Sequence, residues 1–246
     1  MNSNIFNKTP QFNSSEADTV SYFNENGFHI ERDVFSSKEC STMIKESENF
    51  ENSLNKSYIP EQQVHKKNKV FLNMMKNNKI KKIIDKFSSK GKEMFGIQSS
   101  FFYGVPNTSG ASNHQDGLWV KPEDASGFIS AWTPLIDLDN TNMGNLYVYE
   151  KSHKEGSLNV IENKSLPSSF QNEGLVKYES VLKKNLKKHL LTVKKGSTVF
   201  LHSNLVHGSI GNSSEKNRYV VLFTYIRDGI SFREGREAKR EKTSLK

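Results

Sequence analysis

Two hydrophobic periods divide the chain. Between residues 16 and 95 apolar residues recur at helical spacing, most plainly Ile80, Ile83, Ile84 and Phe87 at i, i+3, i+4 and i+7. Ser15 or Asp18 can cap a first helix that Asn26-Gly27 ends; Ser36 or Ser37 can cap a second, with Glu39 in its first turn and Cys40, Met43 and Ile44 on one face. From residue 97 the pattern changes to short runs rich in β-branched and aromatic residues: 97–103, 128–135, 144–149, 190–193, 198–201 and 219–226. Gly, Pro, Asn and Ser separate them. No internal repeat occurs. Many short strands after a helical start predict a mainly β fold with flanking helices, a jelly roll or double-stranded β-helix carrying its helices outside. The predicted organisation is a loose tail over 1–13 and one domain over 14–230, with helical support 14–95 and a jelly-roll core 96–230. A charged, partly disordered tail over 231–246 closes the chain.

Composition narrows the class. Of 246 residues 34% are hydrophobic and 25% charged, but 16 Phe, 8 Tyr and 2 Trp can fill a core. No run of 18 apolar residues exists, so no membrane span is expected, and the first 20 residues carry no continuous apolar stretch of the kind a secretory signal needs. The single cysteine, Cys40, lies in a helical pattern and reads as a buried thiol. These features predict a cytoplasmic protein. The net charge of +8 is concentrated: residues 66–92 hold ten lysines against one acid, Asp85, a local balance of +9 that leaves −1 for the rest. Because Lys79, Lys81, Lys82 and Lys86 alternate with the isoleucine stripe, they read as the solvated face of a surface helix, and no nucleic-acid partner is expected.

The stretch S-N-H-Q-D-G-L-W-V at 112–120 sets two metal-binding side chains one residue apart. On a strand, i and i+2 point to the same side, so His114 and Asp116 can reach one ion. An H-x-D triplet is common by chance and needs a third ligand. His207 follows an apolar run, precedes Gly208-Ser209, and stands eleven residues before Arg218, a cation opening a strongly apolar strand. A surface arginine at a strand edge would explain Arg218 alone; the combination with His207 and the upstream H-x-D favours a site. His202 is a rival third ligand, five residues earlier and on the opposite side of a regular strand, without the Gly-Ser and the arginine offset. Two imidazoles and one carboxylate on one face of a metal leave three positions open, which suits non-haem Fe(II), and a nearby arginine can hold a carboxylate through a two-pronged hydrogen bond.

H-Q-D at 114–116, S-A-W-T-P-L at 130–135, G-N-L-Y-V-Y-E-K-S-H-K-E-G at 144–156 and H-G-S with Arg218 at 207–218, in that order, resemble the phytanoyl-CoA dioxygenase family of Fe(II)/2-oxoglutarate-dependent oxygenases. The opening Y-F-N-E-N-G-F-H-I-E-R at 22–32 resembles the family's first helix-then-strand segment. The resemblance implies a double-stranded β-helix whose mouth holds Fe(II) on His114, Asp116 and His207. It implies 2-oxoglutarate as co-substrate, with Arg218 on its distal carboxylate, Ser209 adding a hydroxyl and Trp132 beside it, and O2 as oxidant. Lys69 and Gln98 are further residues that can face the cavity, and His153 matches a turn that looks structural. His29, His65 and His189 are expected at the surface or in hydrogen bonds. Related halogenases carry a small residue in place of the carboxylate; Asp116 therefore favours hydroxylation.

The resemblance implies a small-molecule substrate, and the basic chain favours an anionic or zwitterionic one. Asn113, Lys121, Tyr147 and Arg227 are candidates to face it, and 158–188 is a candidate lid. Two other readings stay open at this point: a non-catalytic jelly-roll sensor for a metal or metabolite, and a basic nucleic-acid-binding protein acting through 66–92. The sequence assigns no oligomeric state.

Overall fold

The computed structural model describes residues 5–50, 60–163, 177–236 and 238–246. The helices are α1 (Ile5–Lys8), α2 (Glu16–Asn26), α3 (Ser37–Ser47), α4 (Val64–Lys67), α5 (Lys69–Met75), α6 (Asn78–Ile84), continued by a π-helical turn Asp85–Ser89, and α7 (Gly117–Val120). The strands are β1 (Phe28–Glu31), β2 (Glu61–Gln62), β3 (Met94–Gly104), β4 (Ala111–His114), β5 (Phe128–Pro134), β6 (Leu146–Tyr149) and β7 (Val160–Glu162). They continue with β8 (Tyr178–Ser180), β9 (Lys188–Leu190), β10 (Thr198–His202), β11 (His207–Ser209), β12 (Arg218–Arg227) and β13 (Thr243–Ser244).

Local chemistry sets the helix ends. Ser15 Oγ accepts the Asp18 N–H at the start of α2, and Gly27, at φ +80°, ends it with its N–H on the Phe23 carbonyl. Ser36 and Glu39 form a reciprocal capping box on α3. Along α6 Ile80, Ile83 and Ile84 are fully buried, as their spacing predicts.

The strands form the two facing antiparallel sheets of a jelly roll. The larger runs β1-β10-β5-β12-β3-β13, with β2 also on β3; the smaller runs β4-β11-β6-β9. Strands β7 and β8 pair as a separate ribbon. Side-chain alternation sends one face of each central strand to each layer. Tyr225, Phe223 and Val221 of β12, with Ile129 and Ala131 of β5, pack outward on Met43, Phe71, Met75 and the α6 isoleucines. Trp132 and Val220 face the other way, onto Leu146 and Val148 of the smaller sheet. That second layer is the interior of the roll. Cys40 is buried in the outer layer, and burial pushes its thiol up to about 11.

Three expectations change. The described part of the N-terminal segment is anchored, since Thr9 is buried and donates to the Ile30 carbonyl at 3.0 Å while the Phe12 N–H meets Glu31. The C-terminal segment is also built in: β13 pairs with β3, and Ala238, Arg240 and Leu245 are buried. Its charge misleads because Leu245 enters the helix-facing core and Arg240 finds polar partners inside the protein. The lysine face is solvated only in part: Lys82 and Lys86 are exposed, while Lys79 and Lys81 are half-buried. Lys66, Lys76 and Lys81 donate to the carbonyls of Lys239, Lys246 and Leu245, and Lys79 donates to that of Arg32. Of the candidate lid 158–188, residues 164–176 lie outside the described residues, and the flanking strands form the β7–β8 ribbon. No helix among the described residues is long and apolar enough to cross a membrane.

Candidate metal centre

His114 ends β4 and His207 begins β11, and the antiparallel register sets them directly opposite each other, with ring centroids 4.3 Å apart. Asp116 lies just beyond β4, at the start of α7. One atom from each of the three can be chosen so that all lie within 4.8 Å of one another. His114 Nδ1 is 2.7 Å from the Ser112 carbonyl and His207 Nδ1 is 3.0 Å from that of Leu205. A carbonyl only accepts, so each Nδ1 carries the proton and each Nε2 presents a lone pair. These Nε2 atoms stand 3.7 and 3.6 Å from Asp116 Oδ1. Burial, with His207 beside it, pulls His114 down to about 4 against the opposing pull of Asp116. The ring is neutral at pH 7, the form that ligates. Two preset imidazoles and a carboxylate around one point fit a divalent first-row ion such as Fe(II).

Ser130 was not legible as part of this centre. It donates to Asp116 Oδ2 at 2.5 Å and so leaves Oδ1 turned toward the histidines. Its signal in the sequence is only its place two residues before Trp132, on the same face of β5.

Trp132 is buried between the sheets, with Leu222 opposite it on β12. Ser209, two residues after His207, is buried on β11 and its Oγ accepts the Ala111 N–H at 3.0 Å. Arg218 is buried at the start of β12; its Nη1 donates to the Gly144 carbonyl at 2.6 Å. Glycines make room for it: a Cβ on Gly104 would stand 2.8 Å from Arg218 Nε, and one on Gly144 would stand 2.9 Å from Cδ.

His202 lies elsewhere. The expected reason was strand alternation; the observed one is a turn over 203–206 that carries the chain from the larger sheet to the smaller. His202 instead packs on His153, whose Nε2 meets the Asn24 carbonyl. His29, His65 and His189 bond to Glu31, Ser99 and Glu150. Lys69 is exposed on α5. Arg227 is buried in bonds to Asp124 and the Ser88 carbonyl, a structural role that removes it from the substrate candidates. Asn113 donates to Glu179 of β8, Tyr147 Oη reaches the Ala111 carbonyl, and Lys121 is exposed beyond α7.

The sequence profile of the phytanoyl-CoA dioxygenase (PhyH) family matches residues 23–220. The chain belongs to the phytanoyl-CoA dioxygenase family. Among the family's proteins, the peroxisomal phytanoyl-CoA dioxygenase of Bos taurus is 29% identical over 119 residues, 44% of this chain and 31% of the bovine protein's length. The fold of this family member resembles that of SnoN, an epimerase from nogalamycin biosynthesis solved with Fe3+, alpha ketoglutarate and nogalamycin RO. That match has a TM-score of 0.72 at 11% identity, covering 90% of this chain and 87% of that one. EctD from S. alaskensis, solved with 2-oxoglutarate and 5-hydroxyectoine, matches with a TM-score of 0.63 at 17% identity over 86% of this chain and 76% of that one. At these identities the likeness is one of fold.

Proposed function

We propose that the protein is a non-haem Fe(II)/2-oxoglutarate-dependent dioxygenase that hydroxylates an unactivated C–H bond of a small anionic or zwitterionic metabolite, releasing succinate and CO2. The convergence of His114 Nε2, His207 Nε2 and Asp116 Oδ1 carries this reading, with both rings held in the ligating tautomer by backbone carbonyls. Family membership supports the same chemistry.

When bound, iron with 2-oxoglutarate and O2 supplies an oxidant able to convert C–H to C–OH. The remaining tasks fall to the chain. His114, Asp116 and His207 would hold the ion. Ser130 fixes the rotation of the Asp116 carboxylate. Arg218, buried in its glycine slot, is the cation for the distal carboxylate of 2-oxoglutarate, with Ser209 and Trp132 as neighbours on the inward faces of their strands. Packing of the two sheets around Trp132, Val148 and Val220 keeps water from this end of the cleft.

Anaerobic titration of the protein with Fe(II) and 2-oxoglutarate tests the reading. A weak visible charge-transfer band is expected, absent from His207→Ala and reached only at higher 2-oxoglutarate in Arg218→Ala. Iron binding with no such band at any 2-oxoglutarate concentration would leave a metal-binding jelly roll and no oxygenase.

A further inference from the structure

Gln98 of β3, Thr224 of β12 and Ser130 of β5 form one row across the larger sheet, each directly opposite the next. Directly opposed residues share a face, and at about 4.8 Å per strand the Gln98 and Ser130 backbones lie about 10 Å apart. Ser130 holds Asp116, so this row faces the metal centre. At its far end Gln98 meets Arg240 of the C-terminal segment, whose Nε donates to Gln98 Oε1 at 2.5 Å.

Arg240 is only 7% exposed. Its Nη1 donates to the carbonyls of Arg233 and Glu234 at 3.0 and 3.3 Å, and its Nη2 makes no hydrogen bond among the described residues. None of these partners is a carboxylate. A buried guanidinium that meets only neutral oxygens is costly, and a ligand carboxylate offsets that cost. Asp116 is the acid whose charge reaches Arg240 and partly opposes the lowering of its pKa to about 10 by burial and by Arg233. Asp116 is committed to the metal in the proposed function, which leaves this end of the cleft positive.

The position is built. Gln98 Nε2 donates to Gln62 Oε1 and Ser100 Oγ at 2.9 and 3.2 Å, which turns Oε1 toward Arg240. The Gln63 side chain donates to the carbonyls of Ala238 and Lys239, and Lys66 pairs with Glu241 at 2.7 Å. Pairing of β13 with β3 and burial of Leu245 close the segment down.

We propose that Arg240 is a substrate-binding residue that receives a carboxylate of the substrate, with Gln98 as its positioning residue. This rests on the proposed function and adds to it the residue and the chemical group recognised.

The test is anaerobic calorimetry on the full chain loaded with Fe(II) and saturating 2-oxoglutarate. The probes are the common amino acids and unbranched C4–C10 monocarboxylates, each beside its primary amide. At least one carboxylate should bind saturably and at least tenfold more tightly than its amide. Arg240→Gln should weaken that binding by about ten- to hundredfold, the range for a lost charge-assisted pair. Gln98→Glu should weaken it similarly by supplying an internal carboxylate; this variant decides the matter if Arg240→Gln does not fold, because it keeps the side-chain length and gains an ion pair. The proposal is overturned if no carboxylate in the series outbinds its amide, or if Gln98→Glu binds as the wild type does. The charge-transfer band of the wild-type sample is read separately: its absence would count against the proposed function, and the amide comparison against Arg240.

Discussion

Ser130 Oγ lies 2.5 Å from Asp116 Oδ2, while Asp116 Oδ1 lies within 3.7 Å of the Nε2 atoms of both His114 and His207. One carboxylate oxygen is thus held by the larger sheet and the other is offered to the centre.

Ser130→Ala frees the Asp116 carboxylate to rotate without removing a ligand. Losses of such orienting partners typically weaken metal affinity by about 10–100-fold. Fe(II) or Mn(II) titration should show that loss with little change in melting temperature; an unaltered affinity would mean that α7 alone orients Asp116.

Gly104→Ala crowds Arg218, because the new Cβ would stand 2.8 Å from Nε. Overpacking of this kind costs about 1–3 kcal/mol. Placed on the guanidinium, it should raise the 2-oxoglutarate concentration for half-maximal band formation by about tenfold and leave the metal affinity as it was. A rise in the metal requirement instead would place Arg218 elsewhere in the scheme.

Leu245→Ala reports on the C-terminal segment. Leu245 is 6% exposed within the helix-facing core, and truncating a buried leucine costs about 2–5 kcal/mol. The lower end is expected beside the chain terminus, read as a lower denaturation midpoint. A free tail would show no shift.

His65 links this segment to pH. It is buried, with Nδ1 2.7 Å from Ser99 Oγ, and burial, reinforced by Lys66, lowers its pKa from 6.5 to about 4. A histidine whose folded pKa lies below its unfolded value binds protons more readily when unfolded. Its stabilisation is therefore complete above pH 6.5 and is lost as pH falls toward 4. Urea midpoints should decline across that window, and His65→Gln should flatten the decline. Equal slopes in both proteins would assign the acid sensitivity to other groups.

Much of this protein is decided by local order in the chain. The 3.6-residue stripe of Ile80, Ile83 and Ile84, the Ser36–Glu39 capping box and the stop at Gly27 act over one or two helical turns, so they can be read directly. The β runs at 97–103, 128–135, 144–149, 198–201 and 219–226 coincide with strands, whereas 190–193 overlaps β9 only at Leu190. Short strands such as β4 and β11 were not delimited by pattern, because three or four residues carry too little alternation; their metal-binding residues marked them instead. His114, Asp116 and His207 were recognisable because ligand chemistry restricts residue type and spacing.

What the tertiary structure alone decided are the partnerships without a period. Ser130 meets Asp116 across 14 residues, and Arg240 meets Gln98 across 142. A charged C-terminal run looks the same in sequence whether it is solvated or folded back, since its fate depends on acceptors that strand pairing brings to it. The choice between His202 and His207 has a similar origin: a turn moves the chain from one sheet to the other, and His207, not His202, is then set opposite His114.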